Sequence, residues 1–584
     1  MRQLSICLLL FLCAPSENAW AQLKVQGYII DQSNAQPMGY VQVLPEGQNG
    51  SLSNAEGYFE VEVSRLPTKI SFQQIGYETF VLTVNSQDIQ LVELSPQSYQ
   101  LNTVEIAGKE STLAYKQLWV SVLKTRRALA GREEGKLFLR SQTMVDDSLA
   151  LEQLGAYYNY FFVDGKVDSL ALKAGDLRLP PGSYFMNQGL PYLIRNYAPF
   201  AEGQDLMPSS PYNLNSWRAI RRWYRVRKRK TIAVEGDSLV QYVFTARDSG
   251  AVFSGEALVL QRAQTLQALS LEVNDAEKIP FYSLRDEREG VIDQLNMSIN
   301  ISLESSGKGL RYRLMTYDLD YRISQERKVH TLASLWFYQP GRLFATPVLP
   351  VDPPLEEYEQ LAYFLYDPIF WQNQPQIPLS EAEKQQGAAL QSVRRFDALQ
   401  DSSLELLSNR LDYWRPGWKA DTQRVGKKAR LEAKYNILEK SSLAYDYDSL
   451  YASTHLYLDC HCYPDTVVYQ IEAVIDYGQS YLLARDSLAQ VFFNNYLGIT
   501  RFHSNLLRAK LIYRYGDRCP SQAEIMEAYE EVDNARRQDI ANYFANINMK
   551  KRPRSFKIKV SNIVQSRLAE SEGFPEEAKN MRRP

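Results

Sequence analysis

Between residues 295 and 303 the chain alternates without a break: Leu295, Met297, Ile299, Ile301 and Leu303 are apolar and the residues between them are polar. A strand turns successive side chains to opposite faces, so this run covers a core on one side and leaves the other wet. An antiparallel sheet built from hairpins meets that condition. The turn Ser305-Ser306-Gly307-Lys308-Gly309 leads into Leu310-x-Tyr312-x-Leu314, after which Met315, Tyr317, Leu319, Tyr321 and Ile323 continue on odd numbers. The change of parity predicts a bulge near 314 to 315. Strands of this kind are expected from Lys136 to Ile323. The 38 tyrosines of the chain suit such a sheet, with rings packed and hydroxyls reaching water.

Residues 23 to 94 show shorter alternating runs broken by Gly, Pro and Asn, the pattern of a small β-sandwich. Gly57 and Gly76 each sit where a tight turn meets a strand, a place that favours positive φ. Four segments here carry a resemblance. Val25-x-Gly27-x-Ile29-x-Asp31, Pro37-Met38-Gly39-Tyr40-Val41-x-Val43, Asn54-Ala55-Glu56-Gly57-Tyr58-Phe59 and Ile70-Ser71-Phe72-x-x-Ile75-Gly76-Tyr77 resemble the carboxypeptidase regulatory-like module. That family is a transthyretin-like sandwich common in Bacteroidota-type envelope proteins and at the N-terminus of TonB-dependent receptors. This sequence departs from it at Tyr40 and Asn54, where Ala and Asp are usual. The resemblance implies a docking module with no catalytic residues to carry over. The remainder of the chain is more loosely similar to the regions found after this module in other envelope proteins.

The first 21 residues read as an export signal: Arg2, the apolar run Leu4 to Leu12, and the cleavage site Ala19-Trp20-Ala21 before Gln22. Cys13 would be the lipidated residue of a lipoprotein, but Leu12 stands where a small residue is expected. No later stretch is long and apolar enough for a membrane helix. The expected location is the periplasm or the outer-membrane periphery. The net charge of -2 gives no global pull toward polyanions, and export removes the chain from nucleic acid.

Past Thr103 to Ile106, Tyr115, Leu118, Trp119 and Val122 fall at helical spacing and predict one buried face. Eight prolines between Pro340 and Pro378 predict a rigid connector or a meandering surface segment. Downstream the period becomes helical. Ser380-x-x-Glu383 and Ser521-x-x-Glu524 fit capping boxes, and helices are expected over Val467 to Leu497 and Gln522 to Asn546. The expected organisation is a signal over 1–21, a sandwich over 22–108, an antiparallel β-rich body with an initial helix over 109–339, a Pro-rich connector over 340–378 and a mainly helical region over 379–584. The fold class is thus multi-domain and mainly β.

There is no G-x-S-x-G, H-E-x-x-H, P-loop or G-x-G-x-x-G, and there are only four histidines. His455, Asp459, Cys460, His461, Cys462, His503 and Cys519 are metal-ligand types, but one residue between Cys460 and Cys462 is too few for a zinc pair. No metal or cofactor is expected. A disulfide from Cys519 to Cys460 or to Cys462 fits an oxidising compartment. Asp446-Tyr447-Asp448 lacks the Gly and distal Glu of a calcium loop and reads as surface.

The run from Trp217 to Lys230 contains eight cationic residues and no acid. In helical register Arg218, Arg221, Arg222 and Arg225 share one face, and Trp217, Ile220 and Tyr224 another. Such a helix either docks on anionic lipid or lipopolysaccharide phosphate, or is a solvated helix leading into a strand, with its arginines paired to acidic neighbours. The aromatic sets Trp336-Phe337-Tyr338, Phe370-Trp371, Tyr413-Trp414 and Trp418 either stack on a glycan or pack sheets together. Together these features point to an exported, non-enzymatic envelope binding or assembly protein, with an envelope protein or glycan as partner. The rival is an envelope hydrolase working through carboxylates from distant segments. A TonB-dependent receptor is disfavoured, because a helical C-terminal third leaves too little chain for a barrel.

Overall fold

The computed structural model describes residues 23–582 except 49, 98–110, 147–148, 182–184, 187–196, 204–206, 235–236, 280–282, 286–287, 291, 307–308, 324–326, 394–409, 422–423, 425–449, 464–465, 483–488 and 547–553. The export signal with Cys13, the segment Thr103 to Ile106 and Asp446-Tyr447-Asp448 lie outside the described residues. The chain is mainly β, with 44% in strands and 27% helical, and divides into two compact units.

The first unit holds β1 (Leu23–Asp31), β2 (Gln42–Pro45), β3 (Ser51–Leu52), β4 (Tyr58–Val63), β5 (Thr68–Gln73), β6 (Phe80–Val84) and β7 (Gln90–Leu94). They form two sheets, ordered β4-β1-β7 and β3-β2-β5-β6. Val25, Ile29, Val41, Val43, Phe59, Ile70 and Phe72 are fully buried between them. Residues 232–234 and 374–384 also group with this unit. Ser51 Oγ donates to Gln376 O at 2.9 Å, and Lys384 Nζ lies 5.2 Å from the Tyr58 ring. Gly57 and Gly76 have φ of 75° and 85°. A Cβ on Gly57 would stand 2.5 Å from Ile29 O, whereas one on Gly76 meets open space. Replacing either by Val should cost about 1–3 kcal/mol of backbone strain, and Gly57→Val should cost clearly more, as read by thermal melting. Equal losses would refute the steric part.

The second unit begins with α1 (Thr112–Ala128), capped by Ser111, whose side chain accepts from Ala114 N. Ala114, Tyr115, Leu118 and Val122 are buried and Trp119 is half-buried. Then come β8 (Arg132–Val145), β9 (Leu149–Val163), β10 (Lys166–Leu179), β11 (Phe185–Met186), α2 (Trp217–Trp223), β12 (Tyr224–Val234), β13 (Asp237–Ala246), β14 (Ser254–Leu260), β15 (Leu266–Val273), β16 (Ser283–Arg285), β17 (Arg288–Gly290), β18 (Ile292–Ser306), β19 (Gly309–Ile323) and β20 (Arg327–Tyr338). A large antiparallel sheet runs in the order β12-β13-β14-β15-β18-β19-β20-β8-β9-β10-β21, with β21 at Gln391–Ser392. β11, β16 and β17 make a small separate sheet.

The one-sided alternation is realised on β18: Leu295, Met297, Ile299, Ile301 and Leu303 are all buried in the core that α1 covers. The parity change is a register shift in which Ser302 faces Leu314 and Leu303 faces Tyr312, so Arg313 is the extra residue. The tyrosines differ from expectation. Tyr115, Tyr224 and Tyr312 are buried to their hydroxyls, which donate to Tyr224 O, Ser209 O and Gly165 O instead of water.

The Pro-rich stretch is not a surface connector. It contains α3 (Glu357–Tyr363) and α4 (Pro368–Asn373), which bury Leu361, Tyr363, Phe370 and Trp371. Pro368 opens α4, where a missing N–H is not needed. α5 (Glu381–Gly387) carries the expected capping box, with Glu383 N donating to Ser380 Oγ and Ser380 N to Glu383 Oε2.

Beyond it the chain is not helical throughout. β22 (Leu411–Tyr413), β23 (Leu450–Cys462) and β24 (Val467–Leu482) form a sheet ordered β22-β24-β23, followed by α6 (Ala489–Tyr515), α7 (Gln522–Asn546), α8 (Arg554–Ser571) and α9 (Phe574–Arg582). The helix expected over Val467 to Leu497 is therefore corrected. Its first half, rich in β-branched Val467, Val468, Ile471, Val474 and Ile475, pairs with β23 as a strand.

Candidate docking surface

Ser216 starts α2 by accepting from Ala219 N at 3.2 Å, and Tyr224 ends it, extended at φ -129° and ψ 155°. The helix thus leads into a strand, one of the two alternatives expected, but it stops at Trp223 and the basic run continues as the edge strand β12, so Arg225 is not on the helical face expected for it. The reason is visible in the burial. Tyr224 and Val226 are buried while Arg225, Arg227 and Arg229 are exposed, a period of two. Tyr224 is held in place by its hydroxyl bond to Ser209 O, 2.6 Å long, and by its own carbonyl accepting from Tyr115.

Arg218, Arg221, Arg222 and Arg225 are all exposed, Ile220 is buried and Trp217 is half-buried. The first three leave the helix and Arg225 leaves the strand. The Trp217 ring lies 5.6 Å from the Arg218 guanidinium and 5.7 Å from Lys116 Nζ of α1. Arg222 stands 5.6 Å from the Trp223 ring. Arg247 Nε donates to Arg221 O and Tyr224 O, adding a cation to the same edge, while Arg229 pairs with Glu256 at 3.3 Å. No carboxylate of a described residue pairs with Arg218, Arg221 or Arg222. A guanidinium stacked on an indole keeps its N–H groups for an incoming oxyanion, so the surface can hold phosphate oxygens.

A second constellation is buried. Lys173 on β10 donates to Asp459 Oδ1 and, at 2.9 Å, to Cys460 O. His461 Nε2 lies 3.2 Å from Asp459 Oδ2 and 3.8 Å from Asp367 Oδ2, and Tyr463 donates to that Asp367 oxygen at 2.7 Å. Phe370 closes the cluster, 5.0 Å from the His461 ring. Burial works against the Asp459 charge, but Lys173 and His461 outweigh it and hold the carboxyl below its ordinary value. The Lys173, Asp459 and His461 side chains are each 1% exposed, so no substrate reaches them. They tie β10 to β23.

β23 alternates, so Asp459 and His461 take one face and Cys460 and Cys462 the other. Cys462 and Cys519 form a disulfide, whereas Cys460 is a free, buried thiol pushed up to about 12 by burial. His503 is on α6, bonded to Asp539 at 3.0 Å. No group of three or more His, Cys, Asp or Glu among the described residues is arranged to hold a metal ion.

Ser453 Oγ lies 3.0 Å from His455 Nε2, a contact of nucleophile–base type. Burial, with Arg536 beside it, lowers His455 to about 3, which makes it a poor general base. Asp476, opposite Ser453 on β24, is occupied by Arg410 at 2.9 Å and by the amides of Gly478 and Gln479. It does not orient the histidine. Of the aromatic sets, Trp336, Phe337, Tyr338, Phe370, Trp371 and Tyr413 are buried. Trp414 and Trp418 are half-buried, and Trp418 lines an open cleft of about 340 Å³ with Asp412, Arg415, Lys419 and Arg424.

Two participants escape a reading of the sequence. Lys173 follows the apolar Leu170-x-Leu172, and a lone cation inside such a strand is a signal of a buried partner. Lys116 carries no such signal, because only the packing of α1 beside α2 brings it to Trp217.

Residues 25–106 match the model of the CarboxypepD_reg-like domain. No curated protein matches the chain. Among solved structures, an outer membrane lipoprotein-sorting protein domain from Vibrio parahaemolyticus is 11% identical, covering 41% of this chain and 94% of that one, with a TM-score of 0.17. MucB of Pseudomonas aeruginosa, solved with MucA, is 10% identical over 38% of this chain and 93% of its own, with a TM-score of 0.15. At those scores the likenesses carry no argument. No helix among the described residues is long and apolar enough to cross a membrane.

Proposed function

We propose that this chain is an exported, envelope-associated protein that binds or assembles and does not catalyse, held at an anionic phospholipid surface by Arg218, Arg221, Arg222, Arg225 and Trp217. The observation that carries the reading is the trio Arg218, Arg221 and Arg222 exposed on α2 without a carboxylate partner among the described residues, with Arg218 over the Trp217 ring and Arg222 over that of Trp223. Exposed guanidiniums with indole support suit a headgroup layer, in which phosphate meets the cation and the ring sits at the apolar boundary. The CarboxypepD_reg-like unit supplies a second docking module, for an envelope protein or glycan. A hydrolase working through Ser453 and His455 is not supported, since that pair has neither a basic imidazole nor an orienting carboxylate.

Changing the four arginines to Gln tests the reading by vesicle sedimentation. At about 1 kcal/mol per cation near an anionic surface, binding to phosphatidylglycerol-containing vesicles should fall on the order of a thousandfold. Wild-type binding should also weaken steeply with salt. Equal binding of the two proteins at low salt ends the proposal, and so does binding confined to lipopolysaccharide aggregates.

A further inference from the structure

We propose that the outer face of α1 is the inserting half of this docking surface, entering the boundary between headgroups and acyl chains of an anionic phospholipid membrane. The inference rests on the docking reading above and adds an element that reading does not use. α1 buries Ala114, Tyr115, Leu118, Ser121, Val122 and Thr125. The opposite stripe, at helical spacings of 3, 4, 3 and 4, is Leu113, Lys116, Val120, Leu123 and Arg127. Leu113 is 62% exposed and Leu123 47%. A single exposed leucine is ordinary. Two on one stripe, with Lys116 between them, Arg127 beyond and no acid, form an amphipathic surface of the kind that lies in a membrane interface.

Charge supports the choice of partner. The charged residues of α1 are Lys116, Lys124, Arg126 and Arg127, and those of α2 are Arg218, Arg221 and Arg222, every one a cation. The chain as a whole has a net charge of -2, so this concentration is local and complements an anionic surface. Arg126 is already engaged, with Glu202 at 2.7 Å and with the carbonyls of Tyr212 and Leu214, and it marks the flank of the patch. The ammonium of Lys116 over the Trp217 ring joins the two helices into one surface. Ten residues at 1.5 Å each put Leu113 and Leu123 about 15 Å apart along the axis, which sets α1 flat on the membrane plane.

The full chain carrying Leu113→Ser and Leu123→Ser is compared with the wild type and the four-arginine Gln variant on phosphatidylglycerol–phosphatidylcholine vesicles, at low salt and at 0.5 M salt. Both leucines are exposed, so the far-UV spectrum and melting midpoint should match the wild type. The inference expects wild-type binding that weakens with salt yet persists, and a leucine variant at least tenfold weaker at both salts. A reciprocal variant, Leu123→Trp, should bind more tightly. If the leucine variant matches the wild type at both salts while the arginine variant is lost, insertion is overturned and the docking reading stands. If the wild type binds no vesicles at low salt, both fall.

Discussion

Replacing Lys173 by Met is expected to destabilise the second unit by about 3–5 kcal/mol, because the Asp459 carboxylate is then left buried without its cation. Lys173 and Asp459 side chains are each 1% exposed, so water cannot take over. His461 and the Cys460 carbonyl lie beside the pair, but neither replaces the ammonium. The pair itself is worth less than this loss, since desolvating both ions offsets most of their attraction. The double variant Lys173→Met/Asp459→Leu should therefore be more stable than Lys173→Met alone. The pH response has a definite sign. Asp459 is held below its ordinary 3.8 in the folded protein, so its contribution is complete above that value and is lost as pH falls through the lower, folded one. Lys173→Met should accordingly flatten the acid limb of stability below about pH 4. Denaturant unfolding across pH checks both; a loss under about 1 kcal/mol would mean that the cluster is wetter than its burial indicates.

The features legible in the sequence are those set by the local period. The one-sided strand from Leu295 to Leu303 and the buried face of α1 are statements about neighbours two or three residues apart, and both hold in the structure. Expectation and structure part where one composition fits two periods. Trp217 to Arg225 satisfies a helical wheel, yet Tyr224 and Val226 alternate with arginines, and burial of the Tyr224 ring against Phe244 goes with the strand. Val467 to Leu482 fails as a helix for the same reason, since β-branched residues opposite β23 gain more as a ladder. The Pro-rich segment departs from expectation because proline forbids long regular elements but not two short helices begun at favourable positions. The docking surface is half in view. Its arginines are legible as a charge run, whereas Lys116, Leu113 and Leu123 belong to it only through tertiary placement.

Removing the disulfide with Cys462→Ser and Cys519→Ser is the other large effect expected. The two cysteines are 57 residues apart in sequence, and closing a loop of that length restrains the unfolded chain by about 4 kcal/mol. The loop holds β24 and α6 and closes just before α7, so the loss should concentrate in the layer where Leu456, Leu458 and Ile471 meet Leu507, Leu511, Ile525 and Tyr529. Amide exchange in that layer should quicken by on the order of a hundredfold or more. Reductant should lower the melting midpoint of the wild type to that of the double variant and leave the variant unmoved. Cys460, two residues from Cys462 on the same strand, is the obvious competitor for Cys519. Its thiol is buried and pushed up to about 12, so almost no thiolate exists near neutrality to attack the bond. Alkylation of the unfolded, unreduced chain starting at Gln22 should then label Cys460 alone. Label on Cys462 with Cys460 protected would reverse the pairing, and label on all three cysteines would remove the constraint on which the stability estimate depends.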